Sequence, residues 1–240
     1  MKMVLVHGAA HHGGHFGSVA ALLRHQGNQV WCPTVKGNRP GDDAARVGLD
    51  EAIDSIVTFF DDENIDDAVL LGHSWGGMII TGVADRLAPG RIRRLVYYSA
   101  FVPNDGESLI DMVPPHYKAM FDEMGANGGT VFFPPPVFRE AFMNDASKQV
   151  SDAHYATLVP HPYATMNDKI KLSRNPAEFE IGKSYLHCSE DVALPASMPW
   201  HPRLSEKLGL YRLVSMPGSH STFVTNPQVL AQKIIEAGRD

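Results

Sequence analysis

The stretch DAVLLGHSWGGMII, Asp67 to Ile80, constrains the fold of this chain more than any other. Its first half is a short apolar run of the kind that forms a strand buried on both faces. From Trp75 onward, Met78, Ile79, Val83 and Leu87 recur at helical spacing, and Pro89–Gly90 close the run. Between the two stand Gly72, His73, Ser74, Trp75 and Gly76, a G-x-S-x-G pattern. A strand must therefore turn into a helix within a few residues. Side chains at Gly72 or Gly76 would collide with the neighbouring backbone in so tight a turn.

The rest of the chain repeats this strand-then-helix rhythm. Strands are predicted over Met3–His7, Gln29–Pro33, Asp67–His73, Arg93–Ala100, Lys183–Cys188 and Leu210–Ser215. Helices are predicted over Ser18–His25, Leu49–Phe60, Trp75–Leu87, Pro202–Leu208 and Pro227–Ala237. Such alternation specifies an α/β fold with a mostly parallel sheet covered on both faces. Residues 105–180 break the rhythm with VPPHYKAM, GANGGTVFFPPPVF and LVPHPYATM, rich in proline, methionine and phenylalanine. They are expected to form a cap inserted into a core made of residues 1–104 and 181–240. His116, His154 and His161, within that insertion, are expected to face solvent.

The net charge of −6 offers no basic footprint for nucleic acid or an anionic membrane surface. Arg91, Arg93 and Arg94 read as an ordinary solvated cluster. Cys32 and Cys188 imply no disulfide framework. No apolar run reaches the roughly 18 residues of a membrane span, and MKMVLV is too short an apolar run for a signal peptide. The expected setting is cytoplasmic and the expected partner a small-molecule substrate; a homodimer is left open.

The elbow carries the chemistry. A serine on a strained strand-to-helix turn projects its hydroxyl above the sheet, beside a helix N-terminus that favours developing negative charge. A hydroxyl is a weak nucleophile at neutral pH and needs a base, and the base needs an orienting acid. In folds built on this elbow the chain order is Ser, acid, His. Of the twelve histidines, His220 in MPGSHSTF follows the last strand and precedes the last helix. Asp191 follows the strand ending in LHC, with Glu190 beside it and Asp105 after the fourth strand as alternatives.

In these pieces the sequence resembles the plant methylesterase and hydroxynitrile lyase group of α/β-hydrolases and its bacterial esterase relatives. VLVHGA, LLGHSWGGM, LVYYSAFVP, SEDVALP and GSHSTF carry the resemblance, in order and over nearly the whole core. It implies an α/β-hydrolase fold, Ser74 as nucleophile, His220 as base, Asp191 as acid, and an oxyanion hole from the N–H groups of Ala9 and Trp75. No metal or organic cofactor is implied. Lyases of this type carry a lysine after the catalytic histidine and a threonine after the histidine of the first loop; here those positions are Ser221 and Gly8. That favours hydrolysis of a small or medium ester, or a carbamate, with an apolar or aromatic part. A cofactor-independent dioxygenase or hydroxynitrile lyase, and a non-catalytic binding protein, are the alternatives. Gly8, His73, Phe133, Met143 and Ser221 are the candidate substrate-binding residues.

The first loop, VLVHGAAHHGGHF, holds His7, His11, His12 and His15. A metal site would require helical spacing that Gly8, Gly13 and Gly14 oppose. The loop is expected to supply the Ala9 amide, with His7 in a structural role.

Overall fold

The computed structural model describes residues 1–239. Strands β1 (Lys2–Val6), β2 (Gln29–Trp31), β3 (Ala68–His73) and β4 (Ile92–Tyr98) alternate with helices α1 (Gly17–His25), α2 (Leu49–Asp62) and α3 (Gly76–Arg86). The inserted segment then contributes α4 (Leu109–Met112), α5 (Pro115–Gly128), β5 (Thr130–Val131), α6 (Pro135–Val137), α7 (Lys148–Tyr155), β6 (His161–Pro162) and α8 (Ala164–Asn167). The chain returns through β7 (Gly182–Cys188), β8 (Arg212–Met216), α9 (Thr222–Thr225) and α10 (Pro227–Gly238). Six strands form one sheet in the order β2-β1-β3-β4-β7-β8, and each neighbouring pair is parallel.

Alternation along each strand feeds two cores. Val4, Val6, Leu70 and Leu95 face the side of α2, α3 and the inserted segment. Met3, Leu5, Leu71 and Val96 face the side of α1 and α10. All eight are wholly buried, each worth about 1.5–3 kcal/mol of apolar transfer. This explains why β1 and β3 read as unbroken apolar runs: neither of their faces meets water, whereas the edge strands β2 and β8 are partly exposed.

Two predicted elements are shorter than expected. Helix Pro202–Leu208 reduces to a single 3-10 turn, Ser205–Leu208, and the last strand begins at Arg212, leaving Leu210 91% exposed. Gly209, with φ of +67°, breaks the chain between them. The arginine cluster is not merely solvated. Arg91 donates to the carbonyls of Phe60 and Ile65 and pairs with Asp61, and Arg93 pairs with Asp67.

The first loop is stitched to the inserted segment. Ala10 accepts the N–H of Val159 at 3.0 Å, and Nε2 of His15 lies 2.9 Å from the hydroxyl of Thr157. His161, expected in solvent, is wholly buried. Asn38 donates to its Nδ1, its Nε2 meets the Thr165 hydroxyl, and the Trp75 indole lies edge-on at 4.5 Å. An imidazole with both nitrogens satisfied is well tolerated in a core.

Candidate active site

The parallel sheet places the ends of β1, β3, β7 and β8 along one rim, and the candidate residues converge there. Ser74 follows β3 with φ of +54°, a left-handed conformation that a non-glycine residue holds only when its surroundings impose it. Its N–H donates to Tyr98 O at 3.1 Å, and its carbonyl accepts from Gly77 and Phe101. The glycines are obligatory as expected. A Cβ on Gly72 would stand 2.5 Å from Gly76 O, and one on Gly76 would stand 2.8 Å from His7 O. Gly77 is tighter still, with Phe101 O at 2.0 Å from such an atom.

His220 lies in the turn between β8 and α9, and Asp191 just beyond β7. Nδ1 of His220 donates to Oδ2 of Asp191 at 2.7 Å. With the proton on Nδ1, Nε2 carries the lone pair. That nitrogen is buried and has no partner among the described residues. Glu190 is engaged elsewhere, its carboxylate accepting the N–H of Gly218, and Asp105 accepts the N–H of Leu172. The carbonyl of His220 is held by Nε2–H of His73 at 2.9 Å and by the Tyr98 hydroxyl at 3.3 Å. The His220 ring stacks on Trp200 at 5.1 Å.

The first loop turns sharply over this site, Ala10 having φ of +61°. His7 holds it: Nδ1–H donates to Gly8 O at 2.9 Å and Nε2 accepts the N–H of Val35 at 3.1 Å. Burial lowers His7 to about 4, so it stays neutral in this role. His11 donates from Nδ1 to Ala9 O at 2.7 Å and lies Nε2 to Nε2, at 3.1 Å, with His154. Burial, reinforced by His154, His15 and His73, pushes His11 well below its ordinary range. No group of three or more His, Cys, Asp or Glu side chains comes together to hold a metal ion among the described residues. The N–H groups of Ala9 and Trp75 donate to no acceptor among those residues.

Two cavities meet at Ser74. The larger, about 360 Å³ counting space open to solvent, is lined by Ala9, Ser74, Trp75, Tyr117, Phe121, Leu194, Trp200 and further apolar residues. The smaller, about 260 Å³ on the same measure, is lined by Gly8, Ala9, His11, His73, Ser74, Phe133, Phe138, Phe142 and His220. Phe133 and Phe142 line both. Of the five expected substrate-binding residues, Gly8, His73 and Phe133 line a cavity. Met143 and Ser221 do not. Met143 is wholly buried in the core, and Ser221 is buried with its N–H donating to Phe142 O. Sequence reasoning missed Trp200, whose SMPWHP context has no period to mark it.

Residues 3–233 match the family model described as "Alpha/beta hydrolase family". The chain is 34% identical to a carbendazim hydrolyzing esterase of Nocardioides sp. (strain SG-4G), over 99% of both proteins. It is 26% identical to a pyrethroid hydrolase of Sphingobium wenxiniae, over 98% of this chain and 86% of that one. A solved extracellular alpha/beta-hydrolase from a Paenibacillus species superposes with a TM-score of 0.95. It shares 33% identity over the whole of both chains, and is described as sharing structural and functional homology with tobacco salicylic acid binding protein 2.

Proposed function

Because the chain belongs to the alpha/beta hydrolase family, we propose that it is a serine esterase working through an acyl-enzyme. One observation carries the reading: Ser74, on its strained turn, shares a cavity with the buried, unpartnered Nε2 of a histidine whose Nδ1–H is fixed by Asp191. Nε2 takes the proton of Ser74 as its oxygen attacks the carbonyl carbon. Asp191 stabilises the imidazolium that forms. The tetrahedral oxyanion is met by the N–H groups of Ala9 and Trp75, each worth about 3–4 kcal/mol of barrier. His220 then protonates the departing alkoxide, and water repeats the cycle on the acyl-enzyme.

The two cavities favour a division of the substrate. The alkoxide must leave beside His220, which lines the smaller cavity and not the larger. The acyl group therefore occupies the larger, aromatic-walled cavity beneath the inserted cap. An ester or methyl carbamate with an aromatic acyl part and a short alkoxy group fits this arrangement. Similarity to an esterase acting on carbendazim supports inclusion of carbamates.

The test is hydrolysis of p-nitrophenyl acetate, methyl benzoate and a methyl N-arylcarbamate by the parent and by Ser74→Ala. The variant should lose turnover by about 10⁴-fold or more. Equal turnover by parent and variant would overturn the reading.

A further inference from the structure

One short turn of the inserted segment grips both loops that carry the base and the acid. The chain leaves a π-helical turn, Phe138–Phe142, and runs through Met143 and Asn144 to Asp145. The Phe142 carbonyl accepts the N–H of Ser221 at 3.0 Å. Oδ2 of Asp145 accepts the N–H of Ser219 at 3.2 Å and the hydroxyl of Thr225 at 2.8 Å. Asn144 donates Nδ2–H to the carbonyl of Glu190, the neighbour of Asp191, at 3.0 Å. The residues on both sides of His220 thus hang by their amides from two residues of the cap, Asp145 and Phe142.

We propose that Asp145 is a positioning residue for His220, and that the turn Phe142–Asp145 sets the base against Ser74. The proposal rests on the acyl-transfer reading of Ser74, His220 and Asp191. Its physical basis is hydrogen-bond satisfaction. Ser219 is wholly buried, and the acceptor of its N–H is the Asp145 carboxylate. A buried amide without an acceptor is costly, and the loop would shift to re-satisfy it. His220 is the next residue and would move with it. Proton transfer tolerates little displacement, since a misplacement of about 1 Å can cost on the order of 10²-fold in rate. Asp145 itself is exposed, so its side chain contributes little core packing and its removal should leave the protein folded.

The test compares the parent with Asp145→Ala, Asp145→Asn and Ser74→Ala on p-nitrophenyl acetate. Asp145→Ala should lower kcat by about 10–100-fold with little change in KM. Asp145→Asn keeps an amide oxygen as acceptor and should recover most of the rate. Proton NMR of the hydrogen bond between His220 and Asp191 supplies a second readout. Its downfield resonance should broaden or vanish in Asp145→Ala and persist in Asp145→Asn. Should Asp145→Ala fail to fold, Asp145→Glu displaces the acceptor by one methylene while keeping its charge, and should show the same kcat loss. Parental kcat in the folded alanine or glutamate variant would overturn the proposal. So would equal impairment of the alanine and asparagine variants with the resonance intact. Failure of the acyl-transfer reading is distinguishable, because Ser74→Ala would then be as active as the parent.

Discussion

His220 and Asp191 meet at 2.7 Å with both side chains almost completely shut off from solvent, 3% and 0% exposed. In such a site the carboxylate fixes the imidazole tautomer. Asp191→Asn would preserve the shape but present an amide, which can turn the ring and leave Nε2 protonated. The expected result is a fall in kcat of about 10³–10⁴-fold with KM little changed, the size known from the serine protease triad. Steady-state kinetics on p-nitrophenyl acetate would check it.

Opposite ends of the substrate should respond to different phenylalanines. Phe138 lines only the smaller cavity and Phe121 only the larger. Phe138→Ala should raise kcat/KM for butyl over methyl benzoate by about tenfold, the scale of a few contacts in an apolar pocket. Phe121→Ala should instead favour bulkier acyl groups on a fixed methyl ester. A matrix of acyl and alkoxy lengths would separate the two effects, and the reverse pattern would invert the proposed orientation.

Acid should destabilise this protein earlier than carboxylate titration would. Burial holds His7 at about 4, and pushes His11, His73 and His161 well below their ordinary range. In the unfolded chain each takes up a proton near pH 6.5. Between that value and the folded one the unfolded state binds more protons. The stability is therefore fully present above about pH 6.5 and is lost as pH falls toward 4. Each such proton contributes a slope of about 1.4 kcal/mol per pH unit. Urea midpoints at pH 7, 5.5 and 4.5 should fall steadily; a flat series would contradict the prediction.

Two glycines make a matched pair. A methyl group at Gly77 would have to displace the Phe101 carbonyl, whereas at Gly17 it meets nothing within 4 Å. Gly77→Ala should cost about 3 kcal/mol, at the upper end for overpacking because backbone must move. Gly17→Ala, at the start of α1, should be neutral or stabilising by up to about 1 kcal/mol. Denaturant unfolding of the two variants would measure both.

The legible parts of this protein were those written in short-range pattern. The central strands β1 and β3 read as apolar runs because both their faces are covered, and the elbow because its glycines have no alternative. His220 and Asp191 could be placed by their order after β8 and β7. The lining of the cavities could not. Phe133 and Met143 look alike in sequence, yet one lines a cavity and the other is wholly buried in the core, because no single period runs through the irregular chain between them. His161 read as a surface residue because its partners, Asn38 and Trp75, lie far away along the chain. Trp200 belongs to an irregular loop, where no period says which side faces inward.

Phe133 and Phe142 form a common wall between the cavities. A lineage adapting to a bulkier alcohol would find its simplest route through these two rings, and would alter its acyl tolerance in the same step. Preferences at the two ends of the ester should therefore drift together among descendants of this enzyme. Independent retuning would have to begin at private walls such as Phe138 or Phe121.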